Sequence, residues 1–468
     1  MGTSSVAPEG VPIQSWLVAA VTGAGAFMAM LDSTVVNLAI ESIRVDFSSD
    51  LSVAQWVATA YLCALAVSLP AAAWLGARFG YGRVWNYSLG LFVVASILCA
   101  VAPDILTLIG ARVLQGLAGG LMVPAGQAVI GSEVEKKHLG RIFGWLGLAV
   151  ALGPTIGPAI GGALLESTSW RWLFWINVPI GIAALIAARK LVPSGSRDFA
   201  RKVDKIGLSL LGIGLPLLLF GATEMGLGEL TPLTVIATGI GSVLVMSFGV
   251  TAFLVSSPLI DLHLLGRRIF SISTFITGLT GASMYGGLLL LPLYLQLVAN
   301  QSPMETGLWL LIMGFGSALT LPIAGVLIDR YGAGIVALTG SLILLVGTVP
   351  FLVAKLYSPL ILGVILALRG IGVALAQMPA MTAAYTSVKK EEMGDATTLV
   401  NIMQRIGGAF GAVGVVVILQ QASDGEMHST YIDAFTFLLV LSVVAFFAAA
   451  LMHYQIQSHI GRKVQNEL

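Results

Sequence analysis

Long apolar stretches alternate with short polar segments along almost the whole of this chain. Each stretch has roughly the 20 residues that an α-helix needs to cross the hydrocarbon core of a bilayer. In lipid, every backbone N–H and C=O group must find its partner within the protein, which a helix achieves by itself. The pattern therefore predicts an all-α polytopic membrane protein with about 14 transmembrane helices. The predicted spans are 15–40, 52–75, 82–102, 105–131, 141–165, 170–191, 206–224, 232–255, 270–298, 304–328, 334–354, 358–385, 396–421 and 433–454.

The basic residues predict how these helices are oriented. With the N-terminus placed in the cytoplasm, most Lys and Arg side chains outside the spans fall in cytoplasmic segments, and the outer segments hold only Arg44, Arg171 and Lys355. Cytoplasmic loops of membrane proteins carry an excess of such residues. An odd number of helices would put the later loops on the wrong side. The charges therefore favour an even number of helices, with both termini in the cytoplasm.

A repeat divides the predicted helices into two halves. The turn after the second helix, residues 73–80, reads AWLGARFG, and the turn after the tenth, residues 325–332, reads GVLIDRYG. Arg112 in the fourth helix has a similar counterpart at Arg369 in the twelfth. Two related six-helix bundles around a central cavity are typical of transporters. We expect an N-terminal half at 1–192, a basic cytoplasmic linker at 193–205, two inserted central helices at 206–255 with a turn at 224–231, and a C-terminal half at 256–468.

Composition excludes several classes of protein. Of the 468 residues, 57% are hydrophobic and 10% are charged, and the mean hydropathy is +0.93; a soluble domain of this size carries far more charge. The net charge of +1 provides no basic patch for nucleic acid. The sequence has no phosphate-binding loop, metal-ligand spacing or nucleophile motif, so we expect neither an enzyme nor a cofactor or metal site. We expect a monomeric multi-pass protein of the cell membrane.

Two charged residues within the spans are candidates for function. Asp32 is the one acidic residue that we place well inside a span, where a carboxylate costs about 2.5–3.5 kcal/mol on insertion scales and usually marks an ion or proton pathway. It could instead be a structural charge that a buried arginine neutralises, or lie close enough to water to cost little. Arg112 must likewise face a cavity or a partner. Arg112 could also be a buried structural charge. We favour a functional role for Asp32 because acids inside the membrane usually mark such pathways, and for Arg112 because Asp32 is the obvious unpaired acid.

Several motifs follow one another along the spans. Leu31–Ala39 reads LDSTVVNLA, and Trp170–Gly181 reads WRWLFWINVPIG. Further motif residues are Arg112, Gln115, Gly116, Gly119 and Gly120 in the fourth span, Gly153, Pro154, Gly157, Pro158 and Gly161 in the fifth, and Asn401, Arg405, Gly407, Gly408 and Gly411 near the end. Together they resemble the major facilitator superfamily, in its fourteen-helix drug:proton antiporter branch. The resemblance implies an antiporter that exports lipophilic or cationic drug-like compounds by alternating access, with Arg112 assisting proton exchange at Asp32.

The fifth span has a regular glycine pattern. Gly153, Gly157 and Gly161 recur every four residues, so they lie on one face of a helix and let a partner helix approach closely. Pro154 and Pro158 remove intrahelical hydrogen bonds and favour a bend. Spacing alone leaves open a static packing face or a moving seam. The resemblance favours the second, an occlusion seam that bends as the carrier changes state.

One loop departs from the family pattern. Relatives usually read G-x-L-x-D-R-x-G-R-[RK] after the second helix, and here Ala77 replaces the aspartate whereas Arg78 and Gly80 remain. The resemblance implies that this aspartate helps to latch the two halves together on the cytoplasmic side in the outward-facing state. The second copy of the loop keeps Asp329 and Arg330, so we expect part of the latch to lie there.

Polar and aromatic residues inside the spans are candidates for a substrate pocket. A cavity lined by methionine and aromatic side chains with few charges suits bulky amphipathic compounds. Most of these residues are equally suited to interhelical hydrogen bonds, and Arg405 could pair with Glu224 or bind backbone carbonyls. The predicted pocket residues are Asn37, Gln115, Trp145, Tyr285, Gln296, Gln377, Asn401, Gln404 and Arg405.

Two alternative functions fit the same fold. A dedicated exporter or lipid flippase would move one endogenous molecule and show a narrow substrate profile. A non-transporting membrane sensor would bind a ligand without proton-coupled flux, and the altered loop at Ala77 leaves room for this. We predict the antiporter, whose partners are small amphipathic molecules, protons and the lipid bilayer.

Overall fold

The computed structural model describes residues 10–226, 231–353, 358–420 and 427–467, and the regular structure within them is helical. Fourteen helices in these ranges are long and apolar enough to cross a membrane. The predicted all-α class and the number of helices are therefore confirmed. The helices of the first half are α1 (Ile13–Asp46), α2 (Leu51–Ser68), α3 (Tyr81–Ala100), α4 (Ile105–Glu133), α5 (Leu139–Ser167) and α6 (Asn177–Leu191).

The remaining helices follow the predicted spans within a few residues at most ends. Helix α7 ends at Gly226 and therefore includes Glu224, which the sequence places in a turn. Residues 227–230 of that predicted turn lie outside the described ranges. The two inserted helices are α7 (Lys205–Gly226) and α8 (Pro232–Leu254). Those of the second half are α9 (Arg268–Leu293), α10 (Pro303–Tyr331), α11 (Ala333–Thr348), α12 (Pro359–Thr386), α13 (Met393–Leu419) and α14 (Met427–Glu467).

Proline and glycine set the shape of the repeated turns. Helix α2 ends just before Pro70, and the chain continues as the short helix Ala71–Phe79. Gly80 and Gly332, which hold equivalent positions in the two repeats, have positive φ angles of 93° and 86°. Glycine adopts this region without the steric cost that a Cβ imposes. Both copies of the turn therefore use the same residue type to start the following helix, α3 or α11.

The two halves repeat the same set of helix neighbours. Helix α1 packs against α4, α5 and α6, and its counterpart α9 packs against α12, α13 and α14. Helix α4 also packs against α2 and α3, as α12 does against α10 and α11. Equal neighbours in equal order show two pseudo-symmetric six-helix bundles, as the sequence repeat predicts.

The inserted helices lie at one side of the junction between the halves. Helices α7 and α8 pack against each other, and α7 also packs against α2 and α13. The ring of Trp56 on α2 stacks on Phe220 of α7 with centroids 6.3 Å apart. Leu218 and Ala222 of α7 form a buried cluster with Ala409 of α13. Elsewhere at the junction, α5 packs along α10. The exact division of the chain at residues 192, 205 and 255 stays a prediction.

Candidate transport site

Asp32 lies near the middle of α1 and is 1% exposed. Its carboxylate forms an ion pair with Arg112 of α4 through Oδ2. Its Oδ1 accepts hydrogen bonds from the side-chain amides of Gln115, at 2.9 Å, and Asn177, at 3.2 Å. These donors replace the water that a carboxylate loses when it is buried.

Arg112 is also 1% exposed, and it has partners besides Asp32. Its Nε donates to the backbone oxygen of Val57 on α2 at 2.9 Å, and its Nη1 donates to Gln115 Oε1 at 2.6 Å. The guanidinium carbon lies 4.2 Å from the ring centroid of Tyr61, a cation–π contact. The arginine is therefore anchored to α2 by contacts that do not involve the carboxylate.

The polar cluster joins α1, α2, α3, α4 and α6. Asp32 comes from α1, Arg112 and Gln115 come from α4, and Asn177 is the first residue of α6. Gln115 also donates to the hydroxyl of Ser96 on α3 at 2.9 Å. A proton on Asp32 would cancel its attraction to Arg112, and this attraction is strong away from water. The arrangement can therefore convert a protonation into a change in the force that holds α1 against α4.

The polar cluster around Asp32 contains one residue that the sequence assigns to the substrate pocket and two that are absent from the predicted site residues. Asp32 and Arg112 are in direct contact, and Gln115, which the sequence places in the substrate pocket, lies in the same cluster. Asn177 is absent from the predicted site residues, although the motif WRWLFWINVPIG that contains it was an available signal. Ser96 gives no signal, since serines are common in apolar spans. In the part of the chain that the structure describes, no group of three His, Cys, Asp or Glu residues could hold a metal ion.

A cavity of about 240 Å³ lies between the two halves. Helices α1, α2, α4 and α5 line it from one half, and α9, α10, α12 and α13 from the other. Its wall is mostly apolar and includes Met30, Met284, Met378 and Met381. The predicted pocket residues that line it are Tyr285, Gln377, Asn401, Gln404 and Arg405.

Three other predicted pocket residues lie away from this cavity. Asn37 is exposed on α1, and its amide donates back to the Ser33 backbone oxygen at 3.4 Å. Trp145 is half exposed on α5 and packs edge to face on Trp16, with centroids 5.9 Å apart. Gln296 is exposed in the short π-helical segment after α9. A polar or aromatic side chain on a membrane helix can face lipid or the interior, and residue type alone does not decide between them.

The cytoplasmic floor of the cavity is a polar contact between the halves. Asn401 of α13 donates to Gln127 Oε1 of α4 at 2.6 Å, and the Tyr385 hydroxyl of α12 lies 3.3 Å from the same oxygen, as a donor to it. The Tyr385 ring packs on Phe143 of α5, with centroids 5.1 Å apart. One amide oxygen thus binds side chains from two helices of the other half. The floor must open before a molecule can pass from the cavity towards the cytoplasm.

The glycine face of α5 packs against α1 at the level of Asp32. A Cβ added at Gly153 would lie 2.8 Å from the backbone nitrogen of Leu31, and one added at Gly157 would lie 2.6 Å from Thr34 Oγ1. These separations are too short for real atoms, so α1 approaches α5 this closely only because the side chains are missing. The prolines predicted to bend this helix are both exposed, at Pro154, which lines the cavity, and Pro158.

The linker after the first half reaches across to α13. Arg78 Nη1 donates to the backbone oxygens of Phe199 and Arg201, at 3.2 Å each, and Gly80 lies against the linker backbone. The Arg201 guanidinium binds both carboxylate oxygens of Asp395 on α13, at 2.7 and 3.1 Å. Burial of Arg201 acts to lower its pKa, and the Asp395 carboxylate outweighs this and raises it. Arg78 therefore holds the linker, and the linker holds α13.

A second set of contacts closes the cytoplasmic end beside α5. Arg141 at the start of α5 pairs with Asp329 near the end of α10, with Nε and Oδ2 3.1 Å apart. Lys136 donates to two backbone oxygens at the end of α12, at 2.6 and 2.9 Å. The guanidinium of Arg330 lies instead 5.1 Å from the ring centroid of Tyr331. The structure is thus a conformation in which the halves are joined at the cytoplasmic side.

Comparison with known proteins identifies the family. Residues 22–412 match the model of the Major Facilitator Superfamily. The chain belongs to this superfamily. Over 411 residues, it is 36% identical to the Multidrug resistance protein B homolog of Mycobacterium tuberculosis strain CDC 1551 / Oshkosh, covering 86% of this chain and 76% of that one. It is 30% identical over 396 residues to the Multidrug export protein EmrB of Haemophilus influenzae, covering 82% of this chain and 76% of that one. These relatives place it in the multidrug efflux branch of the superfamily.

Solved structures show that the superfamily fold is shared. The human organic anion transporter MFSD10 gives a TM-score of 0.63 at 15% identity and covers 93% of this chain and 99% of its own. The proton:xylose symporter XylE gives a TM-score of 0.63 at 13% identity, with 93% and 96% covered. At these identities the likeness concerns the fold alone. Superfamily membership and fourteen apolar helices in the described ranges make this a multi-pass transport protein of the cell membrane.

Proposed function

We propose that this superfamily member is a proton-coupled antiporter that exports lipophilic, drug-like compounds by alternating access. The observation that carries the proposal is the Asp32–Arg112 pair, which is buried in the bundle beside a cavity between the halves. An acidic group inside the membrane that gains and loses a proton allows a carrier to respond to a proton gradient. The names of two relatives, a multidrug resistance protein B homolog and a multidrug export protein, support export of drug-like compounds.

Protonation of Asp32 is the coupling step of this mechanism. Neutral Asp32 loses its attraction to Arg112, while Arg112 keeps its contacts with Val57 and Tyr61 on α2. Helix α1 is then held less firmly against α4. The proton enters from the outer side and leaves to the cytoplasm. Substrate enters from the cytoplasm or the inner leaflet while Asp32 is deprotonated.

Coupling between proton and substrate runs through helices that the two sites share. Asp32 does not line the cavity, but Met30 lies two residues before it on α1 and does. Gly119 and Gly120, on the same helix as Arg112, also line the cavity. A substrate therefore does not displace the proton by direct contact. Each ligand instead favours one arrangement of α1 and α4, which is how two sites become coupled.

Alternating access follows from motion of the two halves. We take residues 1–192 and 256–468 as the moving units, with 193–205 as the linker and 206–255 as helices at the side. The switch residues are those at the cytoplasmic contacts, Arg78, Gly80, Asp329 and Arg330, and those of the α5 seam, Gly153, Pro154, Gly157 and Pro158. One chain supplies both walls of the cavity, so we propose that the antiporter works as a monomer.

The cavity supports one of the two substrate classes that the sequence predicts. Its methionine-rich apolar wall suits lipophilic compounds of varied shape. Among the described residues that line it, none carries a carboxylate that could bind a cation. The proposal is therefore for lipophilic compounds.

Proton flux in liposomes tests the mechanism. Purified protein is reconstituted with a pH-sensitive dye inside and a proton gradient across the membrane, and a panel of lipophilic compounds is added. We expect compound-dependent proton movement that Asp32→Asn abolishes. The matched control is Asp50→Asn, which removes an exposed carboxylate before α2 and should transport normally.

The other outcomes are equally informative. Flux that survives in Asp32→Asn would overturn the assignment of the coupling residue. Binding of compounds without any proton movement would overturn the antiport mechanism and favour the dedicated exporter or the sensor.

A further inference from the structure

We propose that the cavity selects amphipathic organic anions over cations, with Arg405 as the residue that binds the anionic group. This inference names the substrate class of the site and so rests on the proposed function. It comes from the distribution of charge around the cavity. The apolar wall takes the hydrophobic part of the substrate, and one guanidinium takes its charged end.

Arg405 is the only charged residue among the described residues that line the cavity. It lies on α13 and is half-buried. In the described part of the chain, its guanidinium makes neither a hydrogen bond nor an ion pair. Its donors are therefore available to a ligand, and a guanidinium binds carboxylate, sulfonate or phosphate groups in a two-pronged geometry.

Asp32 does not offset this positive charge. Asp32 is 1% exposed and already accepts hydrogen bonds from Arg112, Gln115 and Asn177. Its negative charge is balanced by Arg112, so the pair adds little net charge to the cavity. Arg405 then makes the electrostatic potential in the cavity positive. Apolar side chains around an enclosed site strengthen this potential, because they exclude water. A cation entering the cavity would be repelled and would find no carboxylate among the described residues that line it.

Neutral donors complete the anion site. The side-chain amides of Gln377 and Gln404 and the hydroxyls of Tyr285 and Ser317 belong to the same lining. Such groups can donate to the anion oxygens that the arginine leaves unbound. They come from α9, α10, α12 and α13, all in the second half. The anionic end of a substrate would therefore bind the second half, on the side of the cavity away from Asp32.

Ligands of similar shape and different charge test whether the cavity prefers anions. The probes are 1-pyrenesulfonate, (1-pyrenylmethyl)trimethylammonium and 1-pyrenemethanol, which share one ring system and carry a negative, a positive and no charge. The sulfonate stays ionised and so cannot carry protons across the membrane. Affinities are measured by calorimetry on the full-length protein in lipid nanodiscs, with empty nanodiscs subtracted. We expect the wild-type protein to bind the sulfonate at least tenfold more tightly than the ammonium compound.

Variants assign the preference to one residue. We expect Arg405→Gln to lose at least tenfold in sulfonate affinity while 1-pyrenemethanol binds within twofold of wild type, and Arg405→Lys to keep part of the preference. Arg268→Gln, which removes an exposed cation at the start of α9, should change nothing. Unchanged binding of the neutral compound also shows that the variant is folded.

Two results would overturn the inference. One is a wild-type protein that binds the ammonium compound as tightly as the sulfonate, a measurement that needs no variant. The other is an Arg405→Gln protein that loses affinity for all three probes alike, which would make Arg405 a packing residue. Because these are binding measurements, selective anion binding without proton flux would refute only the antiport mechanism. Proton flux driven by cations would refute only the substrate class.

Discussion

Burial of the Asp32–Arg112 pair combines a large desolvation cost with a large stabilisation from the attraction between the two charges. Taking each ion out of water costs several kcal/mol, and the mutual attraction and the hydrogen bonds from Gln115 and Asn177 offset that cost. Removing one partner leaves the other charge buried and uncompensated. Replacing both residues by neutral ones removes the desolvation cost and the attraction together. The stability of single and double variants therefore reports the strength of the pair.

We expect Arg112→Met to lower the thermal unfolding midpoint further than the double variant Asp32→Asn/Arg112→Met does. The single change leaves a buried carboxylate without a counter-charge, at a cost of about 3–5 kcal/mol, whereas the double change leaves two neutral side chains. Unfolding of the purified proteins in detergent, followed by fluorescence, measures the difference. Asp32→Asn alone completes the cycle, and simple additivity of the two single changes would argue against direct coupling of the pair.

At the scale of the residue, the sequence allows charged residues to be assigned to the functional site, but it does not allow this for neutral residues. Asp32 and Arg112 can be singled out because a charge in an apolar span needs a reason. Asn177, Trp145 and Gln296 cannot be placed in the same way. A neutral amide or an indole costs little at a helix end or against lipid, so its presence does not reveal which way it faces.

At the scale of the element, α5 has two glycine surfaces that pack closely against other helices. Its glycines at 153 and 157 receive α1, and those nearer its cytoplasmic end, such as Gly140 and Gly144, lie against the α10 backbone. The sequence spacing correctly predicts a close approach by a partner helix. It does not identify the partner, because several helices of either half could present a matching surface. The structure shows that the partner at Gly153 is the helix that carries Asp32.

We expect Gly153→Ala to reduce transport at least tenfold in the liposome assay. The new Cβ would lie 2.6 Å from Met30 Cβ and 2.8 Å from the Leu31 backbone nitrogen, so α1 itself must move. Backbone cannot give way as a flexible side chain can, and the displaced segment adjoins Asp32. The control is Gly162→Ala on the same helix, where nothing lies within 4 Å of the added Cβ. Equal activity of the two variants would show that the α1–α5 approach is not needed for transport.

At the scale of the whole molecule, the linker supplies a contact that the loop after α2 lacks. Ala77 cannot form the ion pair of the aspartate that the family pattern has there, and its backbone oxygen instead accepts from the Asp198 nitrogen of the linker at 2.9 Å. Arg201, held by Arg78, then binds Asp395 on the other half. The sequence predicts the linker as a basic surface segment. It does not predict this pairing, because the two residues lie 194 positions apart and charges in linkers usually face water.

The Arg201–Asp395 pair should therefore help to set the balance between cytoplasm-closed and cytoplasm-open conformations. The two side chains are only 20% and 8% exposed, so water screens the pair weakly. A loss of about 1.4 kcal/mol from the closed state would shift the ratio of the two conformations about tenfold. We expect Arg201→Ala to raise the open population by about that factor, as measured by electron spin resonance distances between labels at positions 133 and 391. Both native cysteines are replaced first.

The neighbouring residue provides a control for this measurement. Lys202→Ala removes an exposed positive charge from the same linker and should leave the distance distribution unchanged. If both variants behaved alike, the general charge of the linker would be responsible and the pair would have no special role. If only Arg201→Ala opened the cytoplasmic end, a contact made by the linker would control access to the cavity. The closed state of this transporter would then depend on three connected segments, from Arg78 through the linker to α13.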